Sequence, residues 1–197
     1  GKAVVLATVH GLVASAYHTL GGVDLYDHDG TILGRHLREN PKGMHHALDV
    51  LTDYLKKLCH LFLDAGVDGI YFASLGGERR MFTDEEFAEF IAPREIEIMK
   101  SIERVTCFNI LHMCKSDLNL ERYKDYPADV LNWGVFEDNI SLEEGRALFG
   151  ADKVYLGGMD DRDGVIVDGT LDEIRQTAQG VVDGFGWKKF ILGADCT

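Results

Sequence analysis

"KVYLGGMDDRDGVIVDGTLDEIRQTAQGVVDGFGWKKFILGAD", residues 153–195, decides the fold. It opens on one apolar run, "KVYLGG" (153–158), and closes on another, "KFILGAD" (189–195), each the length of a buried strand. Between them "TLDE" (170–173) is a capping box. Thr170 is the N-cap and Glu173, three residues on, reaches back, so the pair satisfies amide groups that a helix start leaves orphaned. A strand, a helix and a second strand in this order make parallel strands with the helix packed outside them.

The same alternation extends back through the chain. Further apolar runs are "AVVLATV" (3–9), "GIYFAS" (69–74), "CFNILHMC" (107–114) and "DVLNW" (129–133). "TDEE" (83–86) and "SLEE" (141–144) repeat the capping box, with Thr83 and Ser141 as N-caps. Over 43–65, Leu48, Leu51, Leu55, Leu58, Cys59 and Phe62 recur at helical spacing, and Pro93 interrupts and kinks a helix over 84–103. No glycine-rich phosphate fingerprint follows any strand, since "SLGGER" (74–79) lacks the spacing. The expectation is an α/β chain forming one domain over 1–197, with parallel strands near 3–9, 69–74, 107–114, 129–133, 153–158 and 189–193 and helices outside. A complete (β/α)8 barrel takes about 250 residues. Six units therefore predict a partial TIM (β/α)8 barrel lacking its first two strands and last helix. Its open side would expose apolar strand edges, able to pair with a second copy as a homodimer.

Composition excludes several classes. A net charge of −13 argues against nucleic acid, whose phosphates need a basic surface. No run of about 18 uncharged apolar residues exists to span a membrane. Cysteines at 59, 107, 114 and 196 make no small-domain disulfide pattern, which points to a reduced, cytoplasmic compartment.

Functional groups of parallel α/β proteins collect at the carboxyl ends of the strands. "FNILHMCKSD" (108–117) places His112 and Cys114 two apart, on one face of a strand, and Cys196 follows the last strand. One His and two Cys are a donor set for a catalytic zinc with one open position; they are equally a core histidine with two inert thiols. Glu137 is a candidate fourth ligand. Arg79 and Arg80, in the loop after the second strand, are candidates for clamping an anionic substrate, or simply a solvated loop. Asp160 and Asp161 in "GGMDDRDG" suit substrate binding or a turn. Cys59 belongs to the helix stripe, Cys107 has the parity to face the outer helices, and His45 and His46 open a helix as solvated side chains. "YDHDGT" (26–31) reads as an Asp-Gly hairpin turn.

Taken together, "NILHMC", "ADVLNWG", "KVYLGGMD", "GTLDEIRQ" and "KFILGADC", with "AGVDGIYFA" and "FTDEEFAEFIAPRE", resemble the uroporphyrinogen decarboxylase superfamily in order and spacing. The resemblance covers nearly the whole chain and implies two chemistries. The decarboxylases are metal-free, carry their acidic residue on the barrel's N-terminal part, and end the last strand in Leu-Gly-His-Gly. This chain has "LGADC" there. The cobalamin-dependent methyltransferase branch has a His-x-Cys motif and a later Cys, which His112, Cys114 and Cys196 match. That branch implies Zn²⁺, a methyl group delivered on the cobalamin or corrinoid of a partner corrinoid protein, and a small-molecule acceptor such as coenzyme M or tetrahydrofolate. The reading is a zinc-dependent methyltransferase, inactive as a fragment. A uroporphyrinogen decarboxylase is the alternative, and a non-catalytic zinc-binding barrel the third.

Overall fold

All six apolar runs become strands, and every neighbouring pair is parallel. A computed structural model describes residues 3–20 and 31–195. The strands are β1 (Leu6–His10), β2 (Gly69–Ser74), β3 (Ile110–Met113), β4 (Val130–Trp133), β5 (Val154–Met159) and β6 (Phe190–Ala194). They lie side by side in chain order, β1 to β6, in one sheet. This is an α/β fold matching part of a TIM barrel.

Helices fill the connections. They are α1 (Leu12–Thr19), α2 (Thr31–Glu39), α3 (Pro41–Asp64), α4 (Asp84–Glu86), α5 (Ala92–Ile102), α6 (Val135–Asp138), α7 (Leu142–Phe149), α8 (Val165–Asp168) and α9 (Leu171–Phe185). The three capping boxes close as the sequence predicts, at Thr83/Glu86, Ser141/Glu144 and Thr170/Glu173. Helix α3 starts from Asn40, whose side chain accepts from the Gly43 amide, and buries Leu48, Leu55 and Cys59. Pro93 acts as expected but through a specific device: Phe87–Ile91 is a π-helical turn between α4 and α5. Proline lacks the N–H that would bond the carbonyl four residues back. The Arg94 guanidinium serves the carbonyls left there, donating to Phe90 O at 2.9 Å and Glu89 O at 3.5 Å.

Register separates the sheet into two faces. Phe72, Leu111, Leu131, Tyr155 and Phe190 align in one row and pack against the helices in the main core. Their neighbours Ala73, His112, Asn132, Leu156 and Ile191 form the row on the opposite, lumenal face. The period of two thus sends apolar bulk to the helices and places His112 and Asn132 on the lumenal face. The edges are apolar as anticipated: Val4 and Val5 beside β1, and Ile191 and Leu192 on β6, are exposed.

Four expectations need correction. Strand β3 starts at Ile110, not 107, because Asn109 is tied sideways: its side chain accepts from Ile70 N and donates to Thr106 Oγ1. Strand parity therefore does not reach Cys107, which is exposed rather than packed under helices. His45 is not simply solvated; it stacks on Phe90 with centroids 4.4 Å apart and pairs with Glu89 at 3.1 Å. Strand β1 begins at Leu6 because Val5 N is held instead by the Asp68 carboxylate at 2.8 Å. Most of the 26–31 turn lies outside the described residues; from Thr31 the chain is helical.

Candidate functional site

The lumenal row converges on one amide. Asn132, buried in the middle of β4, donates through Nδ2 to Leu156 O and to Asp195 O, both at 2.9 Å. Two carbonyl partners identify that atom as the nitrogen, so Oδ1 is the acceptor on the other side. It accepts from the Tyr71 hydroxyl at 2.9 Å and faces His112 Nδ1 at 2.5 Å. An amide oxygen cannot donate, so His112 carries its proton on Nδ1. In the neutral ring the lone pair is then on Nε2. A ligating histidine characteristically gives its other N–H to such a partner. Tyr71 also stacks on the imidazole, centroids 5.5 Å apart. One side chain thereby links β2, β3, β4, β5 and the end of β6.

His112 is buried and Cys114 half-buried, one residue past the end of β3. The Cys114 amide extends the ladder by donating to Ser74 O at 3.1 Å, and its partly buried side chain packs against the buried core. Cys196 lies outside the described residues. Its predecessor Asp195 is firmly held: Oδ1 accepts from Gly158 N at 2.8 Å and Oδ2 from Phe136 N at 3.1 Å. Gly158 adopts φ +93, and a Cβ there would lie 2.7 Å from Val181, so glycine is needed for this approach. Burial pushes the Asp195 carboxyl up to about 6, with Asp160 and Asp161 adding to it and the two amides opposing. Among the described residues no three His, Cys, Asp or Glu side chains are grouped to hold an ion. In chemistry His112, its lone pair on Nε2, and Cys114 at the same strand end fit two positions of a zinc site.

The other candidates sit around this mouth in quieter roles. Arg79 is tied down by Leu118 O and lies 3.8 Å from Asp117, so it braces the loop after β3; Arg80 is exposed. Asp160 accepts from the amides of Arg162 at 2.9 Å and Asp163 at 3.4 Å, the turn reading. Glu137 pairs with Arg162 at 3.7 Å.

Two buried charges escaped sequence reasoning. Glu95 of α5 is fully buried and accepts from Leu12 N, Ser74 Oγ and Tyr126 OH, joining the exits of β1 and β2. Burial outweighs these donors and pushes its carboxyl up to about 7. The signal was available, because Glu95 falls on the helix stripe with Ile91, Ile98 and Ile102. Arg122 donates to the carbonyls of Gly76, Gly77, Glu78 and Phe82 and to Asp84, clamping the whole loop after β2. Nothing in its local sequence announces this.

The family model for uroporphyrinogen decarboxylase (URO-D) matches residues 25–197. The chain belongs to the URO-D family. No curated protein matches the sequence. Among solved structures, a methyltransferase from Methanosarcina mazei superposes with a TM-score of 0.80 at 18% identity, over 100% of this chain and 53% of its own. At that identity the likeness is one of fold. This chain thus spans about half the length of that methyltransferase, and the two share the URO-D-type arrangement of parallel strands and outer helices.

Proposed function

We propose that this URO-D family chain carries the acceptor-activating wall of a zinc-dependent methyltransferase. The reaction moves a methyl group from the corrinoid of a separate protein to a thiol such as coenzyme M, or to tetrahydrofolate. The observation that carries the reading is the Asn132–His112 pair. A buried imidazole with its Nδ1 proton held by an amide oxygen presents Nε2 as a donor, and a cysteine follows two residues later. His112, Cys114 and Cys196 would hold the metal. Bound zinc would supply a Lewis-acidic position that keeps an acceptor thiol deprotonated near neutral pH. Asn132 and Tyr71 orient His112. Asp195 anchors the end of β6 against β5 and β4.

The family match favours a second reading, decarboxylation of uroporphyrinogen. Such a substrate bears many carboxylates and needs free cations at the mouth. Arg79 is already engaged with the neighbouring loop. Metal content and turnover separate the two. In the full-length protein, Cys114→Ala and Cys196→Ala should each stay folded, lose zinc, and lose thiol-dependent demethylation of methylcobalamin by orders of magnitude. A zinc-loaded protein that demethylates no cobalamin, free or protein-bound, but decarboxylates uroporphyrinogen would overturn the methyltransferase reading.

A further inference from the structure

At the opposite end of the sheet, where β5 and β6 begin, Arg146, Lys153, Lys188 and Lys189 line an open cleft of about 780 Å3 with Phe185 and Trp187. Small-molecule sites occupy about 300–1,000 Å3. The chain as a whole carries −13, so this local excess of cations calls for an explanation. Lys189 is neutralised by Asp152 at 3.1 Å. The other three make no ion pair with a carboxylate among the described residues. Arg146 donates to Phe185 O at 3.0 Å, Lys153 donates to Ala128 O, and the Lys188 ammonium sits 5.6 Å from the centre of the Trp187 ring.

The plain alternative is that these cations offset the helix ends α7 and α9, which both stop here. Magnitude decides against it as a full account. Each helix terminus carries roughly half a negative charge, so two of them offset about one of the three unpaired cations. About two positive charges remain. Beside them Trp187 is 76% exposed, an unusual placement for the largest apolar side chain.

We propose that this cleft binds a nucleoside phosphate, its base stacked on Trp187 and its doubly charged phosphate beside Lys153 and Lys188. An extended nucleic acid is disfavoured by the acidic remainder of the surface, whereas a small aromatic dianion matches the leftover charge and the flat lip. The site is remote from His112 and independent of the methyltransferase reading.

The probe is AMP, with adenosine and inorganic phosphate as its separate halves. The chain's two tryptophans are Trp133, which is fully buried, and Trp187, so emission excited at the red edge reports the cleft. AMP should change that emission saturably with a dissociation constant below about 1 mM. Adenosine, phosphate and the Lys188→Glu variant should each bind at least about tenfold more weakly. Trp187→Ala, followed by calorimetry, should show the same loss with its circular dichroism unchanged. No saturable response to AMP up to about 5 mM overturns the proposal. So does phosphate binding as tightly as AMP, or AMP binding indifferent to both variants.

Discussion

Replacing Asn132 with leucine keeps the size of the side chain and removes all four of its hydrogen bonds. The loss is uneven. The carbonyls of Leu156 and Asp195 each keep a second lone pair, and the half-buried Tyr71 hydroxyl can turn to water. His112 Nδ1 is buried and cannot turn to water, so it loses this partner whichever tautomer the ring adopts. A stranded buried donor costs about 1–3 kcal/mol, so the variant should lose about 2–4 kcal/mol in all. Against a typical total of about 5–15 kcal/mol the protein stays folded in water. Its urea midpoint should fall by about 1–2 M. The second measurement is specific to the proposed role. In the native protein, nitrogen chemical shifts of neutral His112 should report the proton on Nδ1, and in Asn132→Leu that preference should vanish. Zinc affinity should drop by about 10–100-fold, the usual effect of removing a partner that orients a ligand. Native His112 protonated on Nε2 would refute the reasoning outright. A variant with unchanged zinc affinity would show that Asn132 braces the sheet and does nothing for the histidine.

Glu95 makes stability depend on pH in a predictable direction. Its folded-state value of about 7 lies above the ordinary 4.5, so between those limits only the folded state holds the proton. Its contribution is therefore fully present below about 4.5, is lost as pH rises toward about 7, and is flat above, with an amplitude on the order of 3 kcal/mol. Glu95→Gln should remove that slope, so that the difference between the wild-type and variant stability–pH curves carries it; parallel curves would contradict it. Arg122→Lys should destabilise by about 2–4 kcal/mol and speed hydrogen exchange over 76–84. One ammonium cannot replace a fork spanning four carbonyls and Asp84. Exchange unchanged in that loop would show the clamp to be incidental. Gly145→Ala should cost about 1–3 kcal/mol and lower the melting temperature, because its Cβ would lie 2.1 Å from the buried Trp133 ring. An unaltered melting temperature would mean that the Trp133 packing has slack.

The division between what sequence alone determined and what tertiary structure decided follows the range of the forces involved. Strand and helix placement is local: period-two apolar runs and three capping boxes act within a few residues, and all of them are realised. The parity of His112 within β3 is local too, and it correctly puts the imidazole on the lumenal face. Parity failed at Cys107 because the start of β3 is set by Asn109, which bonds Ile70 from 39 residues away. The amide that orients His112 comes from another strand, and its own anchor, Asp195, is 63 residues from it in sequence. Local sequence leaves Arg79 as an anion clamp or a solvated loop residue and gives Glu95 no role; the fold supplies Leu118 to one and Ser74, Tyr126 and Leu12 to the other. Periodicity reports which way a side chain points. Which donor meets which acceptor in the low-dielectric interior is decided only when distant segments are brought together, because there an unpartnered polar group costs more than the chain's local preferences are worth.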